Sequence, residues 1–414
     1  MIELAKSLRP AFSKGGRDGL NSEAGFSLVE LMITMVVFVF FIVSASQVFT
    51  GLLTQFKQQS KLAETNIEGV VGLEILRQDI EHAGYGLPWY GLVAYSESST
   101  NPYSYNDSPA APRAILSKNS ATFSGPNNIF DGSDYLVIKS VNVSRNDTCN
   151  KFTTLSSISP YVRTWTPSGE NLGNNDRVIV LRPGSSDADG RTLVVDTSSS
   201  TFFTTYTGVT SSTWRPADAS ETRIVYGVDP DTDLRMPFNR ADYVIRRFDS
   251  DGKVIAPSHC APNTGVLEKG VVNQGNGAFS YLPLLDCVAD MQVIFGLDTN
   301  NNGIIGTYTD GDGTAFIPWP VGIPDESVVS ITAFADAASL RQQVREVRVY
   351  ILAHEGQKDT NYTYPNSTIL VGDSAIGASL GNTFNLSSKI GDPEYKYYRW
   401  KLYTIVLKPT NLLR

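Results

Sequence analysis

Residues 23–41 read EAGFSLVELMITMVVFVFF, and this stretch decides the fold. One acid, Glu30, stands five residues after Gly25 at the mouth of an apolar run. From Leu31 to Phe56 there are 26 residues without a charge. As an α-helix rising about 1.5 Å per residue they extend about 39 Å, enough to cross a hydrocarbon core of about 30 Å. The most apolar part is Leu31 to Val43. Ser44, Ser46, Gln47, Thr50, Thr54 and Gln55 follow, so the second half is mixed. A carboxylate at the edge of such a segment is costly unless a cation meets it.

Upstream, residues 1–25 are polar and carry Lys6, Arg9, Lys14 and Arg17 against Glu3, Asp18 and Glu23. Three readings compete: a secretory signal cut after Ser44–Ser46, a plain membrane anchor, and a leader cut before the apolar segment, which then stays on the mature chain. A secretory signal wants its positive charge against the apolar run. Here the nearest charge is Glu30, which favours the third reading.

Downstream, KQQSKLAETNIEGVVGLEILRQDIEHAGYG (57–86) places Ile67, Val70, Leu73, Leu76, Ile80 and Ala83 at spacings of three and four. That is one apolar helical stripe. Glu64, Glu68, Glu74, Arg77, Gln78 and Glu81 form the opposite face. No proline interrupts residues 26–83, and Gly84 and Gly86 form a stop signal. The pattern predicts one helix of about 58 residues, roughly 87 Å long. Its first half (26–56) is apolar all round, and its second half (57–83) is amphipathic, ready to lie on a globular head. Gly51, Gly69 and Gly72 are expected weak points of about 1 kcal/mol each relative to Ala.

From about residue 84 to 414 the pattern is that of a head made of strands and loops. SDYLVIKSVNV (133–143), NDRVIVLRPG (175–184), RTLVVD (191–196), TRIVYGV (222–228), ADYVIRRF (241–248), ADMQVIFGLD (289–298), VREVRVYILAH (344–354) and YYRWKLYTIVLKP (397–409) are β-rich runs bounded by Gly, Pro, Asn and Asp. A helix in front of antiparallel sheet gives the α+β class. The chain has 414 residues and a net charge of −8 with no basic block, which argues against a nucleic-acid partner.

The string GFSLVE (25–30) resembles a type IV prepilin site: Gly25, then Phe26 to be N-methylated, then Glu30 at the fifth mature position. LEILRQDIEHAGYG, SDYLVIK, PLLDCVADMQVIFGLDTNNNG, VREVRVYILA and YYRWKLYTIVLKPTN together resemble the PilW family of type IV minor pilins, related to the J-type pseudopilins of type II secretion. The likeness is strongest over 25–87 and weaker over 280–310 and 340–410. The resemblance implies that residues 1–25 are a leader cut between Gly25 and Phe26 by an inner-membrane prepilin peptidase. It also implies an anchored helix with a periplasmic head, and partnership with other minor pilins, the major pilin and the inner-membrane assembly platform. The chain would prime or cap a pilus as a substrate of enzymes rather than an enzyme. Gln47 stands where many pilins have a proline. A type II secretion pseudopilin and a membrane-anchored surface adhesin are the alternatives.

On that reading Glu30 has a cation. Cleavage frees the α-amine of Phe26, whose reference pKa is near 8. At 4 Å and an effective dielectric near 20, the attraction between amine and carboxylate is about 4 kcal/mol. The partner is either its own amine, four residues away, or that of a neighbouring subunit.

Other candidate sites are sparser. Asp298, Asn300 and Asn302 in DTNNNG follow the first half of a calcium-loop spacing, but the twelfth position is Thr309 rather than Glu. Asp310 and Asp312 could supply later oxygens; the bland alternative is an Asx-rich turn. Calcium is thus the one cofactor the sequence admits. Cys260 and Cys287, 27 residues apart, are an expected disulfide in an oxidising compartment; a bridge from either to Cys149, or no bridge, is the alternative. His259 beside Cys260 invites a metal reading, but no second His or Cys stands at ligand spacing. GDSAIG (372–377) has one residue too many for a nucleophile elbow. PWYGLVAY (88–95) and FIPWP (316–320) are aromatic stretches suited to docking or to anchoring loops.

Overall fold

The computed structural model describes residues 27–100, 104–121, 132–184, 190–319 and 330–412. The chain divides between Lys57 and Gln58 into two compact units. Helix α1, Leu28–Glu81, runs through both.

In the first unit, Leu28–Lys57 is long and apolar enough to cross a membrane, and every residue of it is exposed. Its threonine hydroxyls are satisfied within the helix. Thr34 Oγ1 donates to the Leu31 carbonyl at 2.9 Å, Thr50 to Ser46 at 3.0 Å, and Thr54 to Thr50 at 2.9 Å. Such back-bonding removes the penalty of a bare hydroxyl in an apolar medium.

The second unit holds a nine-stranded, wholly antiparallel sheet. Its strands are β1 (Ile115–Lys118), β2 (Tyr135–Ser140), β3 (Asn239–Arg246), β4 (Gly265–Val272), β5 (Phe279–Leu297), β6 (Thr307–Thr309), β7 (Phe316–Pro318), β8 (Val344–Glu355) and β9 (Arg399–Leu407). The order runs β1-β2-β3-β4-β5, and β5 is the hinge of the topology. Its first half pairs with β4 and its last three residues with β6, while β8 lies along its other edge and is followed by β9. β8 is buried on both faces. Val347, Val349 and Ile351 join the core under α1; Tyr350 and Leu352 join a second core with Trp400, Phe384 and Tyr395. A five-stranded sheet formed by Phe152–Leu155, Arg177–Arg182, Thr192–Leu193, Thr204–Thr205 and Arg223–Asp229 closes over a third core around Trp214 and Val225. Thr368–Val371 and Asn382–Asn385 make a separate hairpin.

The α+β architecture matches the sequence reading, with local differences. The strand expected at 289–298 begins at Phe279, because Pro283 and Leu285 sit at register shifts that a ladder tolerates. RTLVVD keeps only Thr192–Leu193 as strand. β4, whose Gly265 and Gly270 weaken its apolar pattern, was not foreseen.

The buried stripe of α1 is also shifted from the predicted one. Leu76, Ile80 and Ala83 are buried, but Ile67 and Val70 are 67% and 64% exposed. Gly69 and Gly72 occupy the buried positions instead. A Cβ on Gly72 would fall 1.8 Å from the Leu284 carbonyl oxygen, and one on Gly69 2.9 Å from Leu285 Cδ1. These glycines let helix backbone and β5 approach closely, so they are packing surfaces rather than weak points. Gly51, with nothing within 4 Å, has no such role.

Candidate functional site

Gly25 and Phe26 lie outside the described residues. Glu30 sits in the first turn of α1, exposed, where the unpaired N–H groups of a helix start favour an anion. Ser27 Oγ accepts from the Val29 N–H at 3.2 Å. From Glu30 onward this first unit is a surface of exposed Leu, Val, Ile, Met and Phe side chains. A soluble protein does not leave so large an apolar surface in water; lipid or other apolar helices must cover it.

The other end of α1 carries a buried acid that lies outside the expected apolar stripe. Asp79 stands on the same helical face as Leu76 and Ala83 and is 4% exposed. It accepts from Lys269 Nζ of β4 at 2.5 Å, from the Tyr243 hydroxyl of β3, and from Arg145 at 2.9 and 3.2 Å. Arg145 Nη2 also donates to the Ile75 carbonyl. Burial lowers the Lys269 pKa and Asp79 opposes that shift. Burial and the Asp79 charge both push the Tyr243 hydroxyl upward, so it stays a donor. An acid inside an apolar helix face was the signal available in the sequence.

Beyond Glu81, the helix stop is knitted into the head. Gly84 and Gly86 adopt φ of +85° and +67°. The Gly84 N–H donates to the Lys139 carbonyl, Arg191 donates to the Gly84 carbonyl, and Thr410 donates twice to the Glu81 carbonyl. Lys139 belongs to a balanced buried network. Its Nζ lies 2.7 Å from Glu97 and 2.5 Å from Asp107; Arg240 pairs with Glu97 and, bidentately, with Asp242; Arg113 pairs with Asp107. Three cations face three carboxylates, so burial leaves no net charge uncompensated.

The five oxygen-bearing residues of the calcium pattern are not brought to one place. Asp298 accepts from the Asn302 and Gly303 N–H groups and from Arg345. Asn300 and Asn302 accept from the N–H groups of Asn302 and Ile304, as an Asx turn does. Asp310 and Asp312, across β6, accept from Asn119, Lys118 and Thr314. Cys260 and Cys287 form a disulfide with Cα atoms 5.0 Å apart, and Cys149 is free and buried. Among the described residues, the His, Cys, Asp and Glu atoms near enough to share a metal ion are those of His259, Cys260 and Cys287, two of which are already bonded together.

Burial also shifts the titration of His354 and Asp290. His354 is 1% exposed, accepts from the Ala261 N–H at 2.8 Å, and is pushed by burial down to about 3. Asp290, held by Ser133, Gln292 and Asn382, is pushed by burial up to about 6.

Residues 243–407 match the family described as Type IV Pilus-assembly protein W. Residues 20–46, which include Gly25, Phe26 and Glu30, match the Prokaryotic N-terminal methylation motif. No curated protein and no solved structure matches the chain.

Proposed function

For this chain, a type IV minor pilin of the PilW type, we propose a place in the complex that starts and caps a pilus. A pilin-like role in pilus assembly rests on the two matches. Our reading goes further. A prepilin peptidase cuts between Gly25 and Phe26, Phe26 is N-methylated, and Leu28–Lys57 holds the chain in the inner membrane as a single span with its head in the periplasm. Other minor pilins, the major pilin and the inner-membrane platform then take it into the fibre near the tip. The head does no chemistry of its own; the chain is the peptidase's substrate.

The observation that carries this reading is the first unit: an apolar helical surface exposed along its whole length, with one carboxylate in its first turn. Lipid satisfies the surface before assembly, and neighbouring pilin helices satisfy it afterwards. The carboxylate gains a partner when an amine is brought beside it. Replacing Glu30 by Ala should leave leader cleavage intact while lowering the number of pili and the recovery of other minor pilins with this chain. Normal piliation and normal co-purification of the Glu30→Ala protein would refute it.

A further inference from the structure

Phe152–Leu155 is the outer strand of the five-stranded sheet, and an open cleft of about 280 Å³ lies between its start and the turn 165–170. The aromatic wall of the cleft is Phe152 and Trp165, with Pro167 beside them; Asn150, Lys151 and Glu170 supply the polar part. All six residues fall inside the described run 132–184.

The aromatic wall is pinned from several sides. Trp165 Nε1 donates to the Phe152 carbonyl at 2.7 Å, which ties the turn to the strand. Asn171 closes the turn: it accepts from the Trp165 N–H at 2.7 Å and donates to the Trp165 and Ser168 carbonyls at 2.9 and 3.2 Å. The Arg163 guanidinium covers one face of the indole at 4.2 Å. The Phe152 ring stands 5.5 Å from the indole, inclined by 58°, and leans on Tyr226. Even so, Phe152 is 40% exposed. The polar groups, by contrast, are uncommitted. Among the described residues, the side chains of Asn150, Lys151 and Glu170 meet no hydrogen-bond or ion-pair partner. The Glu170 carboxylate only accepts, the Lys151 ammonium only donates, and the Asn150 amide does both.

We propose that this cleft binds a neutral hexopyranose unit of a glycan. The flat C–H face of the sugar lies on the Phe152 ring and against the Trp165 indole, whose negative π-faces attract C–H hydrogens. Its hydroxyls donate to Glu170 and accept from Lys151, and Asn150 meets either kind. A hydroxyl both donates and accepts, so a polyol uses all three groups at once. A phosphate or carboxylate would face Glu170, and an ammonium would face Lys151. An apolar peptide side chain would use the rings and leave the three polar groups idle. The rings are fixed before the ligand arrives, so little side-chain entropy is lost on binding. A cleft just below the range for drug-sized ligands, about 300–1,000 Å³, suits one sugar ring. The inference does not depend on the assembly reading, since the cleft can hold a sugar whether or not a filament forms.

The test uses the full chain in a detergent without a sugar headgroup, read by saturation-transfer difference NMR. The probes are the methyl glycosides of glucose, galactose, mannose and N-acetylglucosamine, with sorbitol as an acyclic polyol that lacks a flat C–H face. At least one glycoside should receive saturation at its ring C–H protons and titrate with a Kd on the order of 1 mM. Phe152→Leu and Glu170→Ala, both at exposed positions, should each weaken it about tenfold with no change in melting temperature. Transfer to no glycoside above the sorbitol level, or binding insensitive to either substitution, would overturn the proposal. Displacement of the glycoside by a polyproline peptide at similar concentration would make the rings a peptide site and overturn it as well.

Discussion

Replacing Asp79 by Ala tests whether a charge cluster seats α1 on the sheet. The substitution removes the acceptor for Lys269, which is 1% exposed, and for the fully buried Tyr243 hydroxyl. Arg145 can turn to the Gln78 side chain and the Ile75 carbonyl, which it already contacts, so its loss is small. Among the described residues Lys269 has no such alternative, and it is left as a buried cation without its acid. Breaking one side of a buried pair costs about 3–5 kcal/mol, most of it from the stranded charge. The double variant Asp79→Ala/Lys269→Met removes both charges and should be less destabilised than the sum of the two single variants by about 1–3 kcal/mol. Urea unfolding of the detergent-solubilised chain, followed by tryptophan fluorescence, gives the three free energies. A loss under about 1 kcal/mol for Asp79→Ala, or strict additivity in the cycle, would show that the cluster does not hold the helix.

Gly72→Ala should destabilise by several kcal/mol, because its Cβ would overlap the Leu284 carbonyl, whereas Gly51→Ala should stabilise the isolated helix by about 1 kcal/mol; unfolding midpoints and helical circular dichroism separate the two. His354 binds its proton at about pH 3 when folded and near 6.5 when unfolded. Its contribution is therefore complete above pH 6.5 and is lost as pH falls toward 3, a total of about 4–5 kcal/mol, and His354→Gln should flatten that limb of the stability profile. Asp290 runs the other way: its folded value of about 6 exceeds the unfolded 3.8, so its neutral form helps below pH 3.8 and the benefit is lost as pH rises through 6. Asp290→Asn should remove that loss, visible as a smaller fall in melting temperature between pH 4 and 7. Millimolar calcium should leave the melting temperature unchanged, since the oxygens of Asp298, Asn302, Asp310 and Asp312 already accept protein donors; a clear rise would show that the loops rearrange around the ion.

Much of the architecture was legible because it rests on long, strong periodicities. The uninterrupted apolar run after Glu30 and the glycines at 84 and 86 mark α1, and the alternation in VREVRVYILAH marks β8. What could not be read depends on which elements meet. The sequence offers no reason why Gly72 rather than Val70 should face the sheet, since that follows from the path of β5 beneath the helix. Lys139 and Arg240, each flanked by strand residues, find acids on Glu97 and Asp107, far away in the chain, besides the Asp242 that stands two residues after Arg240. The spacing of DTNNNG fits calcium and an Asx turn equally, and only the position of Arg345 shows where the Asp298 charge goes. His354 lies 93 residues from the Ala261 N–H that it accepts, so no local spacing could place it beside His259 and Cys260.

The central claim is that this chain loses residues 1–25 and keeps its apolar helix. The intact mass and N-terminal sequence of the protein recovered from membranes or fibres test it most directly. A chain beginning at Phe26 and heavier by one methyl group is the result the account predicts. A chain beginning at Gln47, or one still carrying residues 1–25 in the presence of an active prepilin peptidase, would contradict it.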